Sequence, residues 1–284
     1  MNDETAPTLA VTGATGAVGG RVASILASSG VPMRLLARSP EKLPQVDDAV
    51  AVPFSGYGDR ASVSAALRGV ETLLMVSAAE SADRLEQHLA FVDEAAAAGV
   101  HHVVYTSFYG ASPTCAFTLG RQHHATEERI RASGMAFTFL RDNFYLDFLP
   151  MMVGEDGVIR GPAGSGRVAA VAREDVAACA ARVLTEPGAH VGSTYDLTGP
   201  ESFTLAEAAA IIAEHQHREV RFHDETVEEA YESRKQWPAP DWQYDAWVST
   251  YTAIAQGEVA GLSDDVHRLT GRRPRSLADL LQRG

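Results

Sequence analysis

Short apolar runs of strand length alternate with helix-like stretches through the first half of the chain. Nearly every residue in the short runs is apolar, which is typical of strands in a parallel sheet buried on both faces. These runs are Leu9–Thr12, Met33–Ala37, Val50–Pro53, Thr72–Val76, Val103–Thr106 and Ala136–Leu140. The helix-like stretches between them are Ala17–Ser28, Ser62–Leu67, Ser81–Ala98 and His123–Ala132. The alternation predicts an α/β fold in which helices cover both faces of a doubly wound parallel sheet.

A glycine follows each of these helix-like stretches, as expected where a helix must stop. The four glycines are Gly30, Gly69, Gly99 and Gly134. Ligands of a doubly wound sheet bind beyond the carboxyl ends of its strands. The residues at those ends are therefore the first candidates for a site.

The pattern loosens beyond about residue 150, where the glycine-rich stretch 154–167 predicts loops with short strand pieces. Further predicted helices are Glu174–Thr185, Leu205–Glu214 (with Thr204 as its cap), Thr226–Lys235, Trp242–Gln256 and Leu277–Gln282. Further predicted strands are Thr194–Leu197 and Glu219–His223. We predict a sheet domain over residues 1–150, to which residues 190–200 return a strand, and a smaller C-terminal α+β lobe over residues 151–284.

The composition and charge of the chain indicate an ordinary folded protein and argue against a nucleic-acid partner. The 284 residues are 45% hydrophobic and 21% charged, as in ordinary folded domains. Lys and Arg number 24 against 37 Asp and Glu, and the net charge of −13 predicts no nucleic-acid partner. We expect no membrane span, and the acidic start has no apolar leader segment. The two cysteines, Cys115 and Cys179, form no CxxC pair, so we predict a cytoplasmic protein.

The motif VTGATGAVGG joins the first predicted strand to the first predicted helix. Gly13 allows the turn, Gly16 lets a pyrophosphate approach the backbone, and Gly19 lets the helix pack on the strand. The helix N-terminus adds free N–H groups and the positive end of the helix dipole. Because strand, turn and helix follow in the required order, the motif predicts a dinucleotide site rather than a bare turn.

The end of the second strand bears on which dinucleotide binds. Arg38 and then Ser39 stand where an Asp or Glu would hydrogen-bond the ribose of NAD. A guanidinium suits a 2′-phosphate, so we predict NADP(H), with a solvated strand-end arginine as the alternative. Asp59 follows the third strand and either accepts from the adenine amino group or caps the next helix.

Small and hydroxyl side chains end the fourth and fifth strands. Val76, Ser77 and Ala78 would allow a nicotinamide ribose to approach closely. Thr106 and Ser107 have two interpretations. Because a buried hydroxyl needs a partner, they either pair within the chain or contact a substrate.

The segments TGATGAVG, LLAR, VVYTS and HxxTEExIRASGMAFTFLRDNFY occur in this order. Together they resemble the NmrA-like atypical short-chain dehydrogenases, and among those the branch of type 2 NAD(P)H:quinone oxidoreductases. SGRVAAVAREDVAACAARVL and GSTYDLTGPESFTLAEAAAII extend the resemblance into the second half. The resemblance implies a Rossmann-type domain that binds NADPH, a smaller lobe that completes a cleft, and a quinone-like or aromatic small-molecule substrate. The oligomeric state stays open at this point, with a homodimer as one alternative.

The resemblance also implies roles for particular residues. The positions implied for the pyrophosphate are Gly13, Ala14, Thr15, Gly16, Ala17 and Val18. Arg38 would bind the 2′-phosphate, and Val76–Ala78 would line the ribose. The stretch Asp142–Asp147 would contact the nicotinamide end, with Asn143 and Phe144 shaping its pocket. Arg173 would reach the cofactor or the cleft from the C-terminal half. Asp142 departs from the family, which usually has Asn or Pro there, so a contact carried over from that position is in doubt.

One catalytic pair of typical short-chain dehydrogenases is absent from its usual place. Those enzymes carry Tyr-x-x-x-Lys after the fifth strand, and the lysine lowers the tyrosine pKa. No lysine lies between Lys42 and Lys235 here. Tyr231 and Lys235 match the spacing in a charged segment of the lobe, which we interpret as a chance match. The helix position of the pair instead carries His123, either a structural histidine or a polar contact to cofactor or substrate.

Other side chains give weaker signals. The adjacent histidines at 101–102 and 123–124 lack metal-ligand spacing, so we expect no metal. Cys115 either lines the cleft or is a buried thiol. Trp237, Trp242, Tyr244 and Trp247 either wall an aromatic substrate or form the core of the lobe.

The missing pair narrows the reaction class. Alcohol oxidation and sugar epimerisation need its base, whereas quinone reduction needs positioning more than a tuned acid. We expect an NADPH-dependent oxidoreductase that transfers hydride to a quinone or a related conjugated carbonyl or aromatic compound. Tyr109, His123 and Tyr145 are the candidate orienting or proton-donating residues. A non-catalytic NADP(H)-binding redox sensor and a tailoring reductase of secondary metabolism are the alternatives.

Overall fold

The fold is described from a computed structural model of the chain, which covers residues 6–43 and 45–282. The expectation about a leader segment rests partly on Met1–Thr5, which lie outside these residues. Within the described residues, no helix is both long and apolar enough to cross a membrane.

Strands and helices alternate in the predicted order. The strands are β1 (Leu9–Val11), β2 (Met33–Ala37), β3 (Ala49–Pro53), β4 (Thr72–Met75), β5 (His102–Phe108), β6 (Ala136–Asp142), β7 (Val158–Gly161), β8 (Arg167–Val168), β9 (Ser193–Leu197), β10 (Phe203–Thr204) and β11 (Arg221–Asp224). The helices are α1 (Ala17–Ser28), α2 (Arg60–Leu67), α3 (Arg84–Ala97), α4 (Thr118–Ala132), α5 (Arg173–Thr185), α6 (Leu205–Gln216), α7 (Val227–Arg234), α8 (Asp241–Ala255), α9 (Asp265–Thr270) and α10 (Leu277–Leu281). Short 3-10 turns cover Pro40–Lys42, Leu146–Met152 and Pro187–His190.

Seven strands form one sheet in the order β3-β2-β1-β4-β5-β6-β9. The pairs of β1 with β2 and β4, of β2 with β3, and of β4 with β5 are all parallel. Backbone hydrogen bonds join the starts and the ends of β5 and β6, and likewise of β6 and β9, so these strands are parallel too. The α/β, Rossmann-type parallel sheet is therefore confirmed, and its carboxyl ends share one edge.

The chain divides into two compact units whose segments alternate. The first comprises Met1–Ser107, Ala125–Arg141 and Val176–Tyr195. The second comprises Phe108–His124, Asp142–Asp175 and Asp196–Gly284. Neither unit is one continuous stretch, and an independent domain over residues 1–150 stays a prediction.

Each unit has its own apolar core. In the first, the inward faces of the strands and helices pack around aromatic residues that include Tyr105, Phe91 and Phe139. In the second, Phe203 and Leu205 pack with apolar residues of α8 and α10. The cap predicted for α6 is confirmed, because the Thr204 hydroxyl accepts from the Glu207 N–H while the Glu207 carboxylate accepts from the Thr204 N–H.

The largest differences from the predicted elements lie where polar residues continue a helix. Helix α4 begins at Thr118 rather than His123, because its first turn is polar and gives no apolar period. Helix α9 was not predicted, since its sequence DVHRLT is short and mostly polar. The strand predicted at Glu219–His223 is β11, which pairs in parallel with β7.

Candidate functional site

The glycine turn between β1 and α1 has the geometry that its sequence predicts. Gly13 lies at φ +62°, a conformation that favours glycine. The N–H of Gly16 donates to the carbonyl of Gly13 at 2.8 Å, which closes the turn. A Cβ on Gly19 would lie 2.6 Å from the Gly13 carbonyl carbon and 2.9 Å from the Thr12 oxygen. Helix α1 therefore packs on the turn only because residue 19 has no side chain.

This turn fits a dinucleotide pyrophosphate. Gly16 is the N-cap of α1, and no side-chain hydrogen bond caps the helix. The first N–H groups of a helix have no partner within it, and they carry the positive end of its dipole. Thr15, Gly16 and Ala17 are exposed, whereas Ala14 and Val18 are buried beneath them. The residues present thus offer an open anion site at the edge where the strands end.

Arg38 lies at the end of β2 with an exposed side chain. Among the residues that the structure describes, its guanidinium has no hydrogen bond or ion pair. Ser39 precedes the 3-10 turn Pro40–Lys42 and its hydroxyl does not cap it. Both residues are thus available, and the predicted contact with a 2′-phosphate stays a prediction.

Asp59 caps helix α2, since its carboxylate accepts from the Ser62 N–H at 3.1 Å. One of the two interpretations of this residue is therefore correct. The carboxylate is exposed, so the cap does not preclude a second partner, and the adenine contact stays a prediction.

Side chains from four elements hold the segment Val76–Ala78, which follows β4. The hydroxyl of Thr12 accepts from the Val76 N–H at 2.9 Å, and the hydroxyl of Thr106 accepts from the Ser77 N–H at 2.8 Å. Further hydrogen bonds join the Tyr57 hydroxyl to the Val76 carbonyl, the His88 ring to the Ala78 N–H and the Arg84 guanidinium to the Ala78 carbonyl. The predicted ribose-lining backbone is thus held by side chains.

The hydroxyls of Thr106 and Ser107 both pair within the chain. Ser107 donates to the fully buried Glu127 at 2.6 Å. Arg141 binds the same carboxylate through two hydrogen bonds of 2.8 and 2.7 Å. The structural interpretation of both hydroxyls is correct, and a direct contact with a ligand stays a prediction.

Asp142 ends β6, and its carboxyl group is buried. Its Oδ2 accepts from the Tyr145 hydroxyl at 2.7 Å, while its Oδ1 has no hydrogen-bond partner among the described residues. Burial raises the pKa of Asp142 to about 8 and outweighs the Tyr145 hydrogen bond, which lowers it. The carboxyl group therefore holds its proton at neutral pH.

Arg173 lies over aromatic rings at the start of α5. Its guanidinium carbon is 4.1 Å from the ring centre of Phe148 and 5.1 Å from that of Tyr145. The backbone N–H of Arg173 donates to the Asp147 carboxylate at 3.0 Å. That carboxylate therefore pairs one of the free N–H groups in the first turn of α5. Burial raises the pKa of the Tyr145 hydroxyl, and the nearby Asp142 carboxyl raises it further.

Asn143 and Phe144 serve the packing of the second unit. The buried amide of Asn143 donates to the Val259 carbonyl at 3.0 Å and accepts from the Phe144 N–H at 2.7 Å. The ring of Phe144 lies 5.0 Å from that of Phe108. Their predicted part in a nicotinamide pocket is not tested by these contacts and stays a prediction.

His123 and Tyr109 lie in the same unit. The ring of His123 is buried and lies 6.1 Å from the ring of Phe108. The Tyr109 hydroxyl approaches Gly261, where a Cβ would overlap it. Burial raises the pKa of Tyr109, and the Asp196 charge raises it further. Neither residue is shown to contact a substrate, so their catalytic roles stay predictions.

The weaker sequence signals have structural explanations. Tyr231 donates to Asp245 at 2.7 Å while Lys235 pairs with Glu232, so the Tyr-x-x-x-Lys spacing brings no dyad together. The Cys115 thiol is buried and donates to backbone carbonyls. Within the described part of the chain, no cluster of His, Cys, Asp and Glu could hold a metal ion.

The four aromatic residues of α8 and of the segment before it are buried to different extents. Trp237 is 57% exposed, and Trp242, Tyr244 and Trp247 are half-buried. The Tyr244 hydroxyl bonds the Trp237 carbonyl at 3.0 Å, and its ring meets that of Trp247 edge-on at 5.7 Å. The interpretation of these residues as core is therefore wrong for Trp237. The alternative, a wall for an aromatic substrate, stays open.

Three residues that hold Val76–Ala78 were not found from the sequence: Tyr57, Arg84 and His88. Each lies in or before a helix, where its spacing resembles that of ordinary core or surface residues. His88 gives the one hint in the sequence. It lies among the apolar residues of LEQHLAFV, where a buried histidine is unusual and indicates a polar partner.

Comparison with known proteins gives the family. Residues 13–187 match the family described as NAD(P)H-binding. Quinone oxidoreductase 2 of Escherichia coli is 32% identical over 95% of this chain and 96% of its own length. A (4-alkanoyl-5-oxo-2,5-dihydrofuran-3-yl)methyl phosphate reductase of Streptomyces griseus is 36% identical over 95% of each.

A solved structure extends the match to three dimensions. The triphenylmethane reductase of Citrobacter sp., solved in complex with NADP(H), superposes with a TM-score of 0.84 at 32% identity, covering 97% of this chain and 99% of that one. The sequence matches and the fold agree with the resemblance found from motifs. The chain therefore belongs to the NAD(P)H-binding family, and quinone oxidoreductase 2 is one of its relatives.

Proposed function

We propose that this protein is an NADPH-dependent reductase that transfers hydride to a quinone or to a related conjugated carbonyl or aromatic compound. The observation that carries the proposal is the open glycine turn at the start of α1, with the unpaired guanidinium of Arg38 at the end of the neighbouring strand. The relatives named above are reductases by name, and the substrates in those names are conjugated or aromatic molecules.

In this proposal the chain binds the dinucleotide through three parts of the first unit. The turn Gly13–Val18 binds the pyrophosphate through N–H groups, and Arg38 binds the 2′-phosphate. The backbone of Val76–Ala78 lines the nicotinamide ribose. When bound, NADPH supplies the hydride.

The acid–base side chains of the chain limit the reaction class. Without a Tyr-x-x-x-Lys dyad, no lysine lowers a tyrosine pKa in the way that alcohol oxidation needs. Hydride transfer to a quinone gives an aromatic hydroquinone anion, which water can protonate. The protein then contributes mainly by binding and orienting its two ligands.

Asp142 and Tyr145 are the groups of the second unit best suited to hold a proton. They share a 2.7 Å hydrogen bond, and the raised pKa of Asp142, about 8, keeps its carboxyl protonated at neutral pH. Tyr145 therefore stays our candidate for a proton donor or an orienting group. Tyr109 and His123 stay candidates for the same roles.

The test is NADPH oxidation, followed by absorbance, by the purified protein with a panel of simple quinones. A conjugated lactone and a triarylmethane dye extend the panel. We expect saturable turnover with NADPH and much less with NADH. Tight NADPH binding without turnover on any acceptor would contradict the reductase, and absence of NADPH binding would contradict the whole proposal.

A second candidate is a redox sensor that binds NADP(H) without turnover, which the missing dyad favours equally. The sensor predicts similar affinities for the oxidised and reduced cofactor, together with no hydride acceptor in the panel. A tailoring reductase predicts turnover only with larger polycyclic or imine substrates. A cytoplasmic location and a homodimer are further parts of the proposal, and sedimentation of the purified protein tests the dimer.

A further inference from the structure

The segment Val76–Ala78 is held by an unusual set of hydrogen bonds. Strand β4 ends at Met75 and helix α3 begins at Arg84, so the segment lies outside both regular elements. Backbone groups in such a segment usually bind water or other backbone. Here side chains bind the Val76 N–H and carbonyl, the Ser77 N–H, and the Ala78 N–H and carbonyl.

Ala78 is held on both sides by residues of α3. Its N–H donates to His88 Nε2 at 3.0 Å, and its carbonyl accepts from Arg84 Nε at 2.9 Å. The side chains of both residues are buried, whereas Val76, Ser77 and Ala78 are half-buried. The holding groups thus lie inside the first unit, and the backbone that they hold reaches the surface.

The protonation state of His88 is fixed by its surroundings. Nε2 accepts a hydrogen bond from the Ala78 N–H, so it carries no proton, and Nδ1 lies 3.2 Å from the Thr126 hydroxyl. Burial lowers the pKa of His88 to about 2, and the neighbouring Arg84 charge lowers it further. His88 is therefore a neutral acceptor at every pH at which the protein would work.

A buried histidine with no further role needs hydrogen-bond partners for its ring nitrogens, and any buried polar group can provide them. His88 and Arg84 instead bind the two backbone groups of a single residue, and that residue lies at the carboxyl edge of the sheet, where dinucleotides bind in this fold. Thr12, Tyr57 and Thr106 hold the two preceding residues of the same segment. The five side chains come from four separate parts of the sequence, and all of them bind backbone groups of this segment.

We propose that His88 and Arg84 are positioning residues that hold the backbone of Ala78 ready for the ribose of a bound dinucleotide. The inference rests on the proposed function for the identity of that ligand. A segment fixed before binding loses no conformational freedom when the ligand arrives, so the affinity of the folded protein is higher.

The experiment measures NADPH affinity and amide hydrogen exchange in matched variants. His88→Phe keeps a planar ring but removes the acceptor, and His88→Gln restores an oxygen that can accept from Ala78. His102→Phe is the control, because His102 is also buried and bonds Thr138 at 2.9 Å, but at the opposite end of β5. Affinity is measured by calorimetry well below each unfolding temperature.

We expect His88→Phe to weaken NADPH binding by about tenfold or more, because the released backbone must then be ordered when the dinucleotide binds. Exchange of the Ala78 amide should accelerate at least about tenfold without ligand, while the amides of Leu73–Met75 stay protected. His88→Gln should recover most of both effects, and His102→Phe should change affinity by less than about twofold.

Unchanged NADPH affinity in His88→Phe would overturn the inference and leave the proposed function intact. Equal weakening in His102→Phe would also overturn it, because the effect would then be general destabilisation. If wild-type protein binds no NADPH, the proposed function fails first and the inference fails with it. If His88→Phe does not fold, Arg84→Met provides the same comparison on the Ala78 carbonyl.

Discussion

Two regions of the molecule satisfy their polar groups in different ways. In the first unit, side chains bind five backbone groups of Val76–Ala78. In the second unit, the buried Oδ1 of Asp142 has no hydrogen-bond partner among the described residues. Near it in sequence, Phe148 is 45% exposed and Met151 74% exposed. In the first region side chains pair most of the backbone groups, and in the second a buried carboxyl oxygen lacks a partner among the described residues and apolar side chains are exposed.

The difference matches two kinds of recognition. A cofactor shared by a whole family has fixed geometry, and a rigid backbone can recognise it whatever the side chains are. A substrate that differs between relatives must be recognised by side chains, which can change without disturbing the sheet.

The largest expected effect tests the rigidity of the first region. Gly19→Val places a branched side chain against the Gly13 carbonyl, so we expect the free energy of unfolding to fall by about 4 kcal/mol or more. Urea denaturation measures the loss. Gly188→Val is the control, since nothing lies within 4 Å of a Cβ at that position. A loss below about 1 kcal/mol for Gly19→Val would show that the turn can rearrange.

The second prediction tests the unsatisfied region through pH. Burial raises the pKa of Asp142 from 3.8 in the unfolded chain to about 8, so the folded state binds this proton more tightly. The stabilisation is complete below pH 3.8 and is lost as pH rises through about 8, by at most about 1.4 kcal/mol per pH unit. Asp142→Asn should remove that part of the slope, measured by urea denaturation from pH 5 to 8.

The exposed Asp241 supplies the matched control for that measurement. Asp241→Asn should leave the slope as it is in the wild-type protein. A slope that is the same in Asp142→Asn and in wild type would mean that Asp142 ionises normally, and that water satisfies its Oδ1.

The third prediction concerns Arg38, the cationic side chain assigned to the 2′-phosphate. Arg38→Ala should weaken NADPH binding by about 10- to 100-fold, because a charge-assisted pair with the 2′-phosphate is lost. NADH binding should change less than about twofold, and calorimetry with both cofactors measures the ratio. An unchanged preference for NADPH would show that Arg38 does not bind the 2′-phosphate. The proposed roles of the glycine turn and of Val76–Ala78 would not be affected.

The smallest effect separates the two roles of Asp59. Asp59→Ala removes the cap of α2 and should cost about 1 kcal/mol of unfolding free energy. Asp59→Ser keeps a capping oxygen and should restore stability. If NADPH affinity falls in both variants, the carboxylate also contacts the adenine; if affinity is unchanged in both, Asp59 is only a cap.

Much of the fold could be predicted because its signals are local. Helix α1 and strand β2 have the predicted bounds, since glycine stops and apolar periods mark both ends. The roles of Gly13 and Gly19 also follow from sequence, because a positive φ and a close backbone contact both demand glycine. These constraints act within about ten residues along the chain.

The remaining features depend on partners that are distant in sequence. Thr106 acquires its role from Ser77, which is 29 residues away, and Tyr57 acquires its role from Val76, which is 19 residues away. Whether Asp142 Oδ1 finds a hydrogen-bond partner depends on all the elements packed around it. Residue spacing along the chain does not predict that packing. Even the start of α4 at Thr118 was missed, since its first turn is polar and its support comes from tertiary contacts.

The support beneath Val76–Ala78 also decides which substitutions the protein can accept. Because side chains of other elements fix the backbone of this segment, Ser77 and Ala78 can change to other small residues without altering its conformation. The selective constraint falls instead on Thr12, Tyr57, Arg84, His88 and Thr106. A library that varies residues 77 and 78 and keeps those five would change the surface presented to a ligand while the backbone of the segment stays fixed.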